Sequence, residues 1–258
     1  MVSVLPSAYS SSGFAFGLCV MVAACGEPAA SKFDSAPLEE DAIKDIAPSD
    51  FAIAPCDGVA ADAFCAILAA GGKRVLIGAP SGVADGRIKG DAILPDAVLL
   101  PSLHPSAIGG LDELRYETWR AGRNGLLPVV GGIGAGDLVD GMNAAYRVPD
   151  AMAFLAEGQD RQGFDTIPLT AKTISAGDLA FDTGDLTIEA RRVGPDLFGF
   201  SVKYDDQIVL ILPCDAALPT SIDGDTIIIA CDDVVGTLIP DILWPADAIV
   251  FISRDDAE

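Results

Sequence analysis

From Phe51 onward the chain alternates short apolar runs with turn residues, and most runs are too short to be helices. FAIAP at 51–55 and FCAIL at 64–68 read as the two strands of a hairpin, and RVLI at 74–77, after the pair Gly71 and Gly72, reads as a third strand. AVLL at 97–100 is a further short buried strand. GLDELRYETWRA at 110–121 places Leu111, Leu114 and Trp119 at helical spacing, and DLVDGMNAAY at 137–146 predicts a second helix in spite of Gly141. The second half is strand-like at 186–190, 198–204, 208–212, 226–229 and 248–252, with Asp205 and Asp206 as a tight turn between two of these runs. Strands with helices between them, followed by more strands, predict an α/β fold of layered, mixed sheets.

The segment before Phe51 has a different character. Met1–Ala24 carries no charged residue, and the run GFAFGLCVMVAA from Gly13 is too short to span a hydrocarbon core of about 30 Å. It suits the apolar region of a secretory signal peptide. Val22-Ala-Ala-Cys25 resembles the lipobox of bacterial lipoproteins, which implies that the Cys25 thiol takes a diacylglycerol and that lipid is the only membrane anchor. The expected organisation is a signal peptide at 1–24, a tether rich in Ala, Pro, Ser and acids at 25–50, and one domain at 51–258. The expected location is the periplasmic side of the bacterial envelope, and Gly26 in place of Asp favours the outer membrane.

Composition narrows the partners. Apolar residues make up 50% of the 258, and 38 acids against 16 bases leave a formal net charge of -22. A surface of that sign repels a polyanion, which excludes nucleic acid as a partner and an anionic membrane as an electrostatic one. The chain has one histidine, His104, so any mechanism built on imidazole has a single ring to use.

Several blocks in order carry a family resemblance. RVLIGAP at 74–80, PDAVLLPSLHPSAIGGLDEL at 95–114 and LPVVG at 127–131 resemble the metallo-β-lactamase fold, in its ribonuclease Z-like and arylsulfatase-like branch. WRAGR at 119–123, GMNAAY at 141–146 and FGFSVKY at 198–204 look like the same branch. The resemblance covers roughly residues 51–254 and implies an αββα sandwich of two mixed sheets flanked by helices. It also implies hydrolysis at a binuclear zinc site made of about five imidazoles and two carboxylates.

The ligand positions of that site are mostly replaced. Where the family has His-x-His-x-Asp-His, this chain has Ser102, Leu103, His104, Pro105, Ser106 and Ala107. The family's strand-end Asp falls on Gly78, two further His positions fall near Val193 and Ser253, and the bridging Asp is matched by Asp215. His104 and Asp215 remain, and two ligands do not hold zinc at useful affinity. The reading is a pseudoenzyme with no cofactor: a binding or scaffolding module for a protein or small-molecule ligand, with Ser102, His104, Ser106 and Asp215 as the contacts of a vestigial cleft. The alternative is a divergent hydrolase of esters or phosphoesters with a relocated or single metal.

The remaining chemistry is sorted by context. Cys56, Cys65, Cys214 and Cys231 allow three pairings, and their spacing in an exported domain favours Cys56 with Cys65 and Cys214 with Cys231. Reduced, Cys214 and Cys231 would instead join His104 and Asp215 as a soft site for one zinc. Ser102 and Ser106 flank His104, so a Ser–His nucleophile pair is also conceivable, but no serine-hydrolase elbow accompanies it. The glycine cluster Gly131–Gly136 reads as a loop rather than a dinucleotide fingerprint, and the acids at Asp182, Asp185, Asp223, Asp225, Asp232 and Asp233 read as a solvated face without calcium-loop spacing.

Overall fold

The computed structural model describes residues 51–56, 58–60, 63–85, 94–157, 163–216, 226–229 and 250–252. The expected signal peptide and tether, with Cys25, lie outside them. In chain order the elements are β1 (Phe51–Pro55), β2 (Ala66–Ala70), β3 (Lys73–Ile77), β4 (Ala97–Leu99), α1 (Pro105–Ile108), α2 (Leu111–Arg120), β5 (Leu127–Gly131) and α3 (Ala135–Glu157). A 3-10 turn at Phe164–Thr166 then leads to β6 (Leu169–Thr173), β7 (Leu179–Asp182), β8 (Leu186–Gly194), β9 (Leu197–Tyr204), β10 (Gln207–Ile211), β11 (Thr226–Ile229) and β12 (Val250–Ile252).

The strands form two mixed sheets, one of seven in the order β12-β1-β2-β3-β4-β5-β6 and one of five in the order β11-β10-β9-β8-β7. β1 to β3 run antiparallel, and β3 to β6 run parallel to their neighbours. Strands β4 and β5 are apolar without alternation because they are covered on both faces. On β3, Val75 and Ile77 point between the sheets while Leu76 points to the helices, as the two-residue period of a strand requires. Ile53, Leu68, Leu99 and Val130 join them against Ile188, Phe200, Val202, Val209 and Ile211 of the second sheet. Outside the first sheet, Ile67, Val98 and Val129 pack against Leu111 and Leu114 of α2 and Val139 of α3. The α/β sandwich of two mixed sheets is the expected fold class.

The differences from expectation are local. β6 and β7 carry no apolar alternation: only Leu169 of β6 and Ala180 of β7 are buried. β6 exists because β5 offers it a full parallel ladder, and its polar residues guard the sheet edge. Helix α3 continues past Tyr146 to Glu157, through Pro149. Two anchors hold it: Asn143 exchanges hydrogen bonds with the Leu169 backbone at 2.9 and 3.0 Å, and buried Asp150 pairs with buried Arg115 at 2.5 Å. The Arg115 guanidinium also lies 4.5 Å over the Tyr146 ring. The glycine-rich segment expected as a loop is one over Gly132, Ile133 and Gly134, while Gly131 ends β5 and Ala135 opens α3.

Arg123, just beyond α2, is buried without a carboxylate partner among the described residues. Its guanidinium donates instead to Thr118 Oγ1 at 3.0 Å, to the carbonyls of Arg115 at 3.2 Å and Ile167 at 3.0 Å, and to the Gly125 carbonyl. The Cys56–Cys65 disulfide is formed, closing the β1–β2 hairpin with Cα atoms 5.3 Å apart.

Candidate functional site: a cleft at the strand ends

The parallel strands β4, β5 and β6 all deliver their carboxyl ends to one edge of the sandwich, where open α/β sheets place their ligand crevices. There Ser102–His104 follow β4, Gly132 and Ile133 follow β5, and Ile174 and Ser175 follow β6. The second sheet closes the other side with Arg192 and Gly194–Phe198 of the β8–β9 hairpin and with Asp215 beyond β10. The open cleft between them has a volume of about 740 Å³, within the usual range for small-molecule sites.

The floor is built by a glycine and a phenylalanine. A Cβ placed on Gly132 would lie 2.8 Å from Phe198 Cε2, so the ring rests on bare backbone that only glycine leaves open. The Phe198 N–H donates to the Pro101 carbonyl at 2.8 Å, which ties the second sheet to the loop after β4. Arg192 sits with its guanidinium 5.6 Å from the same ring and donates from Nη1 to the Pro195 carbonyl at 3.0 Å. A register shift between Arg192 and Gly194 in the β8–β9 pairing bends the hairpin at this point.

Ser102, His104 and Asp215 line the cleft, while Ser106 reaches it only through His104. His104 is the N-cap of α1: its Nδ1 accepts the Ser106 N–H at 3.4 Å and lies 2.8 Å from Ser106 Oγ, with Pro105 at the first helical position. The His104 N–H in turn donates to Ser102 Oγ at 3.3 Å. A catalytic serine–histidine pair needs a third group that orients the base, and no described carboxylate bonds the His104 ring. The hydrogen bonds His104 makes with Ser102 and Ser106 shape the turn into α1. Sequence reasoning missed Arg192, Asp196 and Ser175, because their place in the cleft depends on the hairpin bend and the sheet packing.

The described residues do not fit a binuclear metal site. Gly78, where the resemblance puts a strand-end Asp, has φ +84°, and a Cβ there would come 2.5 Å from the Phe64 carbonyl oxygen. No side chain of any kind fits at that point. Cys214 is disulfide-bonded, so it has no thiolate for the alternative zinc site with His104, Asp215 and Cys231. Cys231 and Ser253 lie outside the described residues. Among the described residues, no three His, Cys, Asp or Glu side chains are grouped to hold a metal ion.

No family model matches the chain, and no curated protein sequence matches it. Solved structures similar to it in fold include human tRNase Z, short form, at 16% identity and a TM-score of 0.48, covering 65% of this chain and 70% of that one. The metallo-β-lactamase fold protein YhfI from Bacillus subtilis is similar at 15% identity and a TM-score of 0.42, over 63% of this chain and 61% of that chain. A diphosphatase from the PhnP family is similar at 10% identity and a TM-score of 0.44, over 66% and 67% of the two chains. These likenesses are of fold.

Proposed function

We propose that the chain is a non-catalytic binding module of the bacterial envelope, held by a lipid on Cys25 and built on a metallo-β-lactamase-like scaffold without the binuclear zinc site. The observation that carries this reading is Gly78, where backbone conformation and the Phe64 carbonyl leave no room for a ligand side chain. The count of one histidine in the whole chain supports it independently. The cleft would then serve recognition. Ile133 and Leu197 offer apolar surface, and Ser102, Ser175, His104, Arg192, Asp196 and Asp215 offer hydrogen bonds of both polarities. Such a lining suits an amphipathic small molecule or a protein loop.

The test is the metal content and free-thiol count of the protein purified without chelator. Below about a tenth of an equivalent of metal with no free thiol is the expected result, since a site short of ligands does not retain zinc. About one equivalent of zinc together with two or more free thiols would sink the proposal and favour a hydrolase with a relocated metal. Mass analysis of the Cys25 peptide checks the anchor: an unmodified thiol on Cys25 in the envelope fraction overturns that part.

A further inference from the structure

Helix α3 exposes an apolar stripe. Val148, Met152 and Leu155 are 66%, 64% and 70% exposed, and with exposed Gly141 and Ala145 they follow a spacing of four, three, four and three residues. That spacing is the heptad seam of helices that pack along one another. From Gly141 to Ala156 the exposed positions include a single charge, Arg147, in a chain whose net charge is -22. A contiguous uncharged stripe on such a surface marks a contact site.

The stripe is graded in size. Its amino-terminal half is Gly141, Ala144 and Ala145, and nothing lies within 4 Å of the space above Gly141. Its carboxyl-terminal half is Val148, Met152 and Leu155. Laid antiparallel on itself about a two-fold axis at Val148, the helix sets Leu155 of one copy over Gly141 of the other and Met152 over Ala144. Large thus meets small at these two steps, Val148 meets its own copy on the axis, and the same patch serves both sides, as a two-fold contact requires. We infer that the α3 stripe is a homodimer contact, with a second copy of this chain as its occupant. This inference is independent of the cleft.

The area sets its strength. Residues 141–156 span about 24 Å of helix, and half the girth of a helix over that length is on the order of 400 Å² per chain. Phe164, 37% exposed and edge-on to Phe154 at 6.0 Å, widens the patch beside the helix. The total falls in the reversible class of interface, below about 1,200 Å². Two chains of -22 repel, so added salt should strengthen the dimer, the opposite of a contact made by complementary charges.

Sedimentation of the full chain from about 1 to 100 µM, the span suited to a reversible interface, should show monomer passing to dimer and stopping there, with more dimer at higher salt. Val148→Glu puts two carboxylates side by side on the axis and should raise the dissociation constant at least about tenfold, with Met152→Glu doing the same. Both sites are exposed, so the circular dichroism spectrum should not move, nor the unfolding midpoint of the dilute monomer. A monomer at every concentration, assembly beyond two, or a dimer untouched by both variants overturns the inference.

Discussion

Arg115 and Asp150 form an ion pair at 2.5 Å with side chains 1% and 5% exposed, joining α2 to the part of α3 beyond Pro149. Removing one partner leaves a buried charge alone. Asp150→Ala should therefore cost about 3–5 kcal/mol, read as a lower urea midpoint. Lys73→Ala, which breaks the half-exposed Lys73–Asp96 pair at 3.0 Å, should cost no more than about 1 kcal/mol. Equal losses in the two variants would mean that the Arg115 site is open to water.

Gly78→Asp would restore in sequence the carboxylate that the family resemblance places there. The protein should lose stability instead of gaining a metal ligand, because the new Cβ would stand 2.5 Å from the Phe64 carbonyl oxygen. Gly122 is the control, with φ +95° and nothing within 4 Å of a Cβ. Gly122→Ala should cost about 1 kcal/mol from backbone strain alone, and Gly78→Asp should exceed it by at least about 2 kcal/mol. Thermal unfolding of the two variants gives the comparison.

His104→Ala should cost about 1 kcal/mol, the ordinary value of an N-cap, and His104→Asn should recover most of it. Chemical denaturation measures both. A ligand contact behaves differently: if His104 touches the cleft's ligand through its ring, Asn restores stability without restoring affinity.

Arg123 tests the opposite situation, a buried charge satisfied by neutral oxygens. Burial, with the neighbouring Arg115 adding to it, brings its pKa down to about 10. The fold therefore disfavours the charged form. That penalty is fully present below pH 10 and is relieved as pH climbs from 10 toward the usual arginine range, where the unfolded chain still holds its proton. From this group, unfolding free energy should be flat with pH between about 6 and 9 and should rise above it. Arg123→Lys keeps the charge but cannot reach the carbonyls of Gly125, Arg115 and Ile167 together, so it should cost about 2 kcal/mol in a urea titration.

The legible part of this fold was the part whose sequence pattern reports burial. β2 and β3 could be read because Leu68, Val75, Leu76 and Ile77 are all enclosed, and the turn at Asp205 because short acidic side chains tolerate its φ of +53°. β6 was invisible, since LTAKT buries only Leu169 and owes its conformation to the β5 backbone. The far half of α3 was hidden by Pro149, and what holds it is a side-chain pair between Arg115 and Asp150, 35 positions apart. The cleft divides the same way. Ser102, His104 and Asp215 follow strands recognisable in sequence, whereas Arg192 reaches the cleft through a bend in a hairpin whose strands both read as ordinary.

The seven-stranded sheet pairs Phe51 with Ile252 and Ile53 with Val250. A chain made amino end first therefore holds β1 early and its neighbour β12 almost two hundred residues later. During that interval β1 has one bare edge, and a bare edge accepts any extended segment that reaches it. This pairing is timed by the delivery of residues 250–252, so a stall or a clip ahead of them would leave β1 open to the wrong neighbour.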